Sequence, residues 1–128
     1  MKLNVMFIIA AVYGIGLGLL NLLAPGAGAG DAVANDSSIA FMMMRFLGVS
    51  SIGLGLIAWL VRNAEPSKAR DGVTLGLTVF FALHALTSLY GQFTDTSVST
   101  HWFMATVQAL IAVGFFLAGR ASMSGKSA

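Results

Sequence analysis

Ser38-Ile-Ala-Phe-Met-Met-Met-Arg-Phe-Leu-Gly-Val-Ser-Ser-Ile-Gly-Leu-Gly-Leu-Ile-Ala-Trp-Leu-Val-Arg62 is an apolar run interrupted by one cation, Arg45, before it closes on Arg62. About 20 helical residues cross about 30 Å of hydrocarbon, so this run reads as a membrane-spanning helix. Three more segments have the same character, and the expected helices cover roughly residues 3–24, 38–62, 72–92 and 101–119. The chain is 57% hydrophobic and 9% charged, far from the balance of a soluble domain. The fold class is therefore all-α membrane: a single domain, residues 1–128, built as an antiparallel bundle of four transmembrane helices with short loops.

Lys2, Arg62, Lys68, Arg70, Arg120 and Lys126 all fall at the N-terminus, the second loop or the C-terminal tail. Four crossings put these segments on one side, which the positive-inside rule makes the cytoplasm. Both termini are expected there, with the chain in the cell inner membrane. Six scattered cations are a poor nucleic-acid footprint, so no nucleic-acid partner is expected. The chain has no cysteine, which excludes disulfides, thiolate metal sites and cysteine nucleophiles. An alternative for the first segment is a cleaved signal peptide ending in Ala24-Pro-Gly-Ala-Gly-Ala-Gly30, but its apolar run exceeds the 7 to 15 residues usual for a signal.

The first loop, Pro25 to Ser37, combines Pro, Gly, Asn and Asp, with Asp36 or Ser37 as the expected cap of the second helix. The second loop, Asn63 to Asp71, is short and should make helices two and three antiparallel neighbours. The third loop, Phe93 to Thr100, leads into His101-Trp102, where Trp102 should anchor the interface as Trp59 does at the other face. Gly14 and Gly18, Ser51 and Gly55, and Gly72 and Gly76 make small-xxx-small spacings that allow close helix approach where lipid supplies no hydrophobic drive. Ile15-Gly-Leu-Gly-Leu-Leu20 matches Ile52-Gly-Leu-Gly-Leu-Ile57, but the halves share no wider pattern, and a Gly/Leu-rich composition accounts for it.

An ionisable group in hydrocarbon normally faces a bundle interior, a wet cavity or an interface reached by snorkelling. Arg45 lies about 9 Å in from one end of its helix, His84 about 12 Å and Gln108 about 10 Å from the same side, at 1.5 Å per residue. Asn21, Thr87 and Ser88 lie slightly nearer the exterior. One reading is a pocket opening to the outer leaflet, with Arg45 as anion or carbonyl anchor, His84, Gln108, Asn21 and Ser88 as hydrogen-bond partners, and Tyr13 or Met42, Met43 and Met44 lining its floor. A lipid headgroup, quinone, isoprenoid or sterol-like molecule would suit it. In the second reading Arg45 snorkels to phosphates or pairs with Asp36 or Asp95, while His84 and Gln108 make interhelical hydrogen bonds. A protein-partner contact is the third.

Haem would need a second axial ligand beside His84 from another chain. A drug–proton exchanger would be expected to carry a membrane carboxylate, and Asp and Glu occur only at Asp31, Asp36, Glu65, Asp71 and Asp95 in loops. The Met triplet spans nearly a full turn and reads as lipid-facing or core filler rather than a copper site. No cofactor or metal is expected, apart from a bound lipid or quinone.

The pattern Arg45-Phe-Leu-Gly48, the ending Ala58-Trp59-Leu-Val-Arg62, the short basic loop and Phe80-Phe-Ala-Leu-His84-Ala resemble small four-helix bacterial membrane proteins of the DoxX-like kind and related uncharacterised families. They are also similar to a sterol-biosynthesis scaffold type that has an Arg-x-x-Gly early in a helix and a His in the next. The likeness covers helices two to four, and Arg45, Gly48 and His84 are the matching positions. It implies an accessory or scaffold for a membrane enzyme rather than catalysis by this chain. The reading is thus a non-enzymatic accessory subunit, or a binder of a lipid-like or anionic amphipathic ligand, with a membrane protein or a second copy as partner. The alternatives are a homo-oligomeric transporter or channel, and an enzyme subunit handling a lipid or quinone with His84 as acid/base.

Overall fold

A computed structural model of the chain describes residues 2–27, 38–94 and 100–124. It contains four helices, α1 (Leu3–Leu23), α2 (Ser38–Val61), α3 (Lys68–Thr94) and α4 (Thr100–Ser124). Each contains a stretch long and apolar enough to cross a membrane. The expected caps Asp36 and Ser37, and the acids Asp31, Asp36 and Asp95, lie outside the described residues.

Two helices are longer than the composition suggested. α3 begins at Lys68 rather than Gly72, because Ser67 caps it: the Arg70 N–H donates to Ser67 Oγ at 3.2 Å and the Asp71 N–H to the Ser67 carbonyl at 3.0 Å. A capping serine satisfies amides at the helix start, and Asp71 in the first turn suits the positive end of the helix dipole. α4 continues past Gly119 to Ser124, since a glycine weakens a helix interior without ending it.

The antiparallel helices form two close pairs, α1 along α2 and α3 along α4, with α1 and α4 joining the pairs. The α1–α2 seam is built on glycines, with Ile15, Asn21 and Ile52 as the side chains beside them. A Cβ on Gly18 would sit 2.7 Å from the Gly48 carbonyl oxygen, one on Gly48 2.7 Å from the Gly18 oxygen, and one on Gly55 2.9 Å from the Ile15 nitrogen. Backbones this close gain dispersion contacts that lipid tails cannot replace, which is what small-residue seams contribute inside a membrane.

α2 and α3 run antiparallel, as the short second loop predicts, and border one small cavity, although α2 packs most closely on α1. α2 spends its small face, Gly48, Ser51 and Gly55, on α1, whereas α3 meets α2 with the bulky Leu77, Phe80 and Phe81. Gly72 and Gly76 depart from expectation. A Cβ at either would meet nothing within 4 Å, because the buried face of α3 runs through Arg70, Thr74, Leu77, Phe81 and Ala85, turned away from them.

The core is an aromatic knot. The Phe7 ring of α1 meets Phe115 of α4 edge-on at 5.4 Å, Phe115 stacks on Phe81 of α3 at 6.3 Å, and Phe81 meets Tyr13 of α1 at 5.7 Å. These edge-to-face and stacked geometries are the favoured ones for aromatic pairs. The knot fixes α1 against the α3–α4 pair and so places Tyr13 beside α4.

Candidate functional site

The polar centre of the bundle is Gln108 on α4, only 6% exposed. Its amide lies between Tyr13 of α1 and Ser88 of α3. In one orientation Nε2 donates to the Tyr13 hydroxyl at 3.1 Å, which itself donates to Met104 Sδ at 3.7 Å, and Oε1 accepts from Ser88 Oγ at 3.1 Å. Turned over, Oε1 accepts from the Tyr13 hydroxyl, and Nε2 donates to Ser88 Oγ and the His84 carbonyl at 3.1 Å and to the Met104 carbonyl at 3.3 Å. The second arrangement avoids aiming the amide oxygen at a carbonyl, and we adopt it. Either way Gln108 ties three helices together, and its amide is satisfied within the protein.

His84 contributes its backbone carbonyl to this network and turns its ring elsewhere. The ring lies 4.1 Å, centroid to centroid, from that of Phe80, and Nδ1 lies 3.0 Å from the Phe80 carbonyl. A carbonyl only accepts, so Nδ1 is the donor in this contact. Asn21 is buried, and its Cβ lies against Gly48 in the α1–α2 seam. Tyr13, Ser88, Gln108 and the His84 backbone therefore come together, and Asn21 is placed apart from them.

Arg45 does not join them. Its side chain is exposed, as are Met42, Met43, Phe46 and Val49 around it. Helical rotation explains this. At about 100° per residue, Arg45 and Leu54 are about 180° apart around α2, and Leu54 lines the small cavity that faces Leu77 and Phe80 of α3. Arg45 thus points away from α3, His84 and Gln108. It is not an anchor inside a shared pocket, and among the described residues it makes no hydrogen bond or ion pair. Of the Met triplet, Met42 and Met43 are likewise exposed and floor no interior pocket.

Among the described residues, three of the spaces near the helices bear on the network. The cavity between α1, α2 and α3, about 20 Å³ and bordered by Tyr13 and Ser51, has room for one water. A groove of about 290 Å³ separates α3 from α4 between Asp71 and Arg120. A larger groove, about 690 Å³, opens between α1 and α4 along Ile9, Val12, Val107 and Leu110, with Tyr13 on its wall. Its volume falls in the range of small-molecule sites, and its lining is almost wholly aliphatic. Among the described residues no three His, Asp or Glu side chains gather as metal ligands do.

Sequence reasoning missed Arg70, which reads as one more loop cation. It is 7% exposed, its Nη2 donates to Asn4 Oδ1 at 2.7 Å, and its guanidinium lies 5.7 Å from the Phe7 ring. Its Nε is buried without a partner, as is Oε1 of Gln92 on the same helix. The Ser67 cap was the only signal that Arg70 lies inside α3. No protein-family model, curated protein or solved structure matches this chain.

Proposed function

We propose that this small integral membrane protein is a non-enzymatic binder of a lipid-like molecule, acting as an accessory or scaffold subunit in the inner membrane with both termini cytoplasmic. The aliphatic groove of about 690 Å³ between α1 and α4 carries this reading. Its shape suits one long apolar chain, such as an isoprenoid or quinone tail or an acyl chain. Tyr13, held by Gln108, is the one residue with a polar side-chain group among the described residues lining it. The polar network is otherwise closed on itself, which argues for holding a molecule rather than transforming it.

Val12 and Leu110 are exposed along the groove, so Val12→Trp and Leu110→Trp fill it without entering the core. Native mass spectrometry of wild type released gently from membranes should show a prenyl or acyl compound that both variants lose. A wild type that carries nothing, or variants that keep the compound, would remove the reading.

A second reading rests on Gly72 and Gly76, whose open face on α3 would admit the helix of another copy. Gly76→Leu would then abolish a dimer seen for the wild type in nanodiscs. A wild type that is monomeric there ends this alternative.

A further inference from the structure

Every other arginine in the described residues has a contact of its own. Arg62 folds back over the Trp59 ring at 3.6 Å and donates to the Trp59 carbonyl. Arg70 is clasped by Asn4 and Phe7, and Arg120 lies 5.7 Å from the Phe116 ring. Arg45 has nothing comparable. It lies six positions after Ile39, where the apolar span of α2 begins, which at 1.5 Å per residue is about 9 Å along the helix. Its surroundings are an exposed aliphatic and aromatic face, with Met43 and Phe46 both 66% exposed.

A guanidinium on such a face is unfavourable unless something anionic meets it, and its stem reaches only a few ångströms toward the interface. Of the groups abundant beside a lipid-facing helix, a phosphodiester fits best. The planar fork of arginine donates two parallel hydrogen bonds to phosphate oxygens, and the flanking Met42, Phe46 and Val49 would take the acyl chains. A zwitterionic headgroup brings its own cation to compete, whereas an anionic headgroup does not.

We propose that Arg45 binds the phosphate of an anionic phospholipid, holding one headgroup against the Met42–Val49 flank of α2. This site lies on α2, apart from the α1–α4 groove, and does not depend on a ligand being held there. The three contacted arginines show that the chain can occupy a guanidinium internally. Arg45, on the far side of α2 from Leu54, has no polar partner among the described residues and faces outward from the bundle.

The test uses the full chain in nanodiscs of mixed phosphatidylglycerol and phosphatidylcholine, with the lipids that remain bound on ejection counted by native mass spectrometry. The wild type should retain phosphatidylglycerol about fivefold above the bulk ratio, the preference that one lipid-facing cation provides. Arg45→Gln should fall to the bulk ratio, Arg45→Lys should lie between because it keeps charge but loses the fork, and Arg120→Gln should match the wild type. A wild type at the bulk ratio overturns the proposal whether or not any variant folds. Equal enrichment in wild type and Arg45→Gln overturns it as well. So does a wild-type dimer that Arg45→Gln converts to monomer, which would give Arg45 a partner on a second chain.

Discussion

Gly14 and Gly55 cross with no side chain between them: a Cβ on Gly14 would lie 3.1 Å from the Gly55 Cα and 2.9 Å from the Ser51 carbonyl oxygen. Both obstructing groups are backbone, so neither can rotate aside. Gly14→Leu must push α1 off α2, and overpacking of this kind costs about 1–3 kcal/mol. Thermal unfolding in detergent, followed by loss of helix signal, should drop clearly for Gly14→Leu and for Gly18→Leu. Gly16→Ala and Gly53→Ala are the controls, since a Cβ at either meets nothing within 4 Å. They should stay within about 1 kcal/mol of wild type.

Tyr13 and Gln108 couple α1 to α4 across the centre of the bundle. A double-mutant cycle of Tyr13→Phe and Gln108→Leu measures that coupling directly. Interhelical hydrogen bonds in membranes average about 0.6 kcal/mol and reach about 1.7 kcal/mol. The shared amide, with partners on three helices, should place this pair in the upper part of that range. A coupling indistinguishable from zero would mean that the network is incidental to stability.

The helices were legible because apolar runs of membrane length have few other uses, and the glycine spacing marked the α1–α2 seam. Rotation about each helix axis was not legible. Residue count put Arg45, His84 and Gln108 at one expected depth, whereas facing depends on which neighbour takes the small face. Once Gly48, Ser51 and Gly55 are committed to α1, Arg45 is carried to the lipid side. Gly72 and Gly76 repeat the spacing of Gly14 and Gly18 without a partner opposite, so spacing alone cannot separate a packed seam from an open one. Arg70 looked like an ordinary loop cation because its burial depends on Ser67 starting the helix one turn before the apolar run.

That cap is open to measurement. Ser67→Ala removes the oxygen that accepts from the Arg70 amide, and losing a capping hydroxyl costs about 1 kcal/mol. Because the change is local, hydrogen exchange should quicken at Arg70 and Asp71 while amides near Phe81 stay protected. Uniform loss of protection along α3 would show that the first turn is not a separable unit.

Arg70 presents a less intuitive case. Its Nη2 is bonded to Asn4, but its Nε is buried with no acceptor, so the native state already bears part of the cost of enclosing a cation. Asn4→Leu would take away the remaining described acceptor and leave the guanidinium enclosed, a loss of about 1–3 kcal/mol. Arg70→Met keeps an apolar stem against Phe7 and removes the orphaned donors altogether. Replacing a buried charge with a well-packed apolar group is often neutral or stabilising. Melting curves in one detergent should therefore rank Arg70→Met at or above wild type and Asn4→Leu below it. The reverse order would mean that the arginine stabilises the fold through a contact other than Asn4.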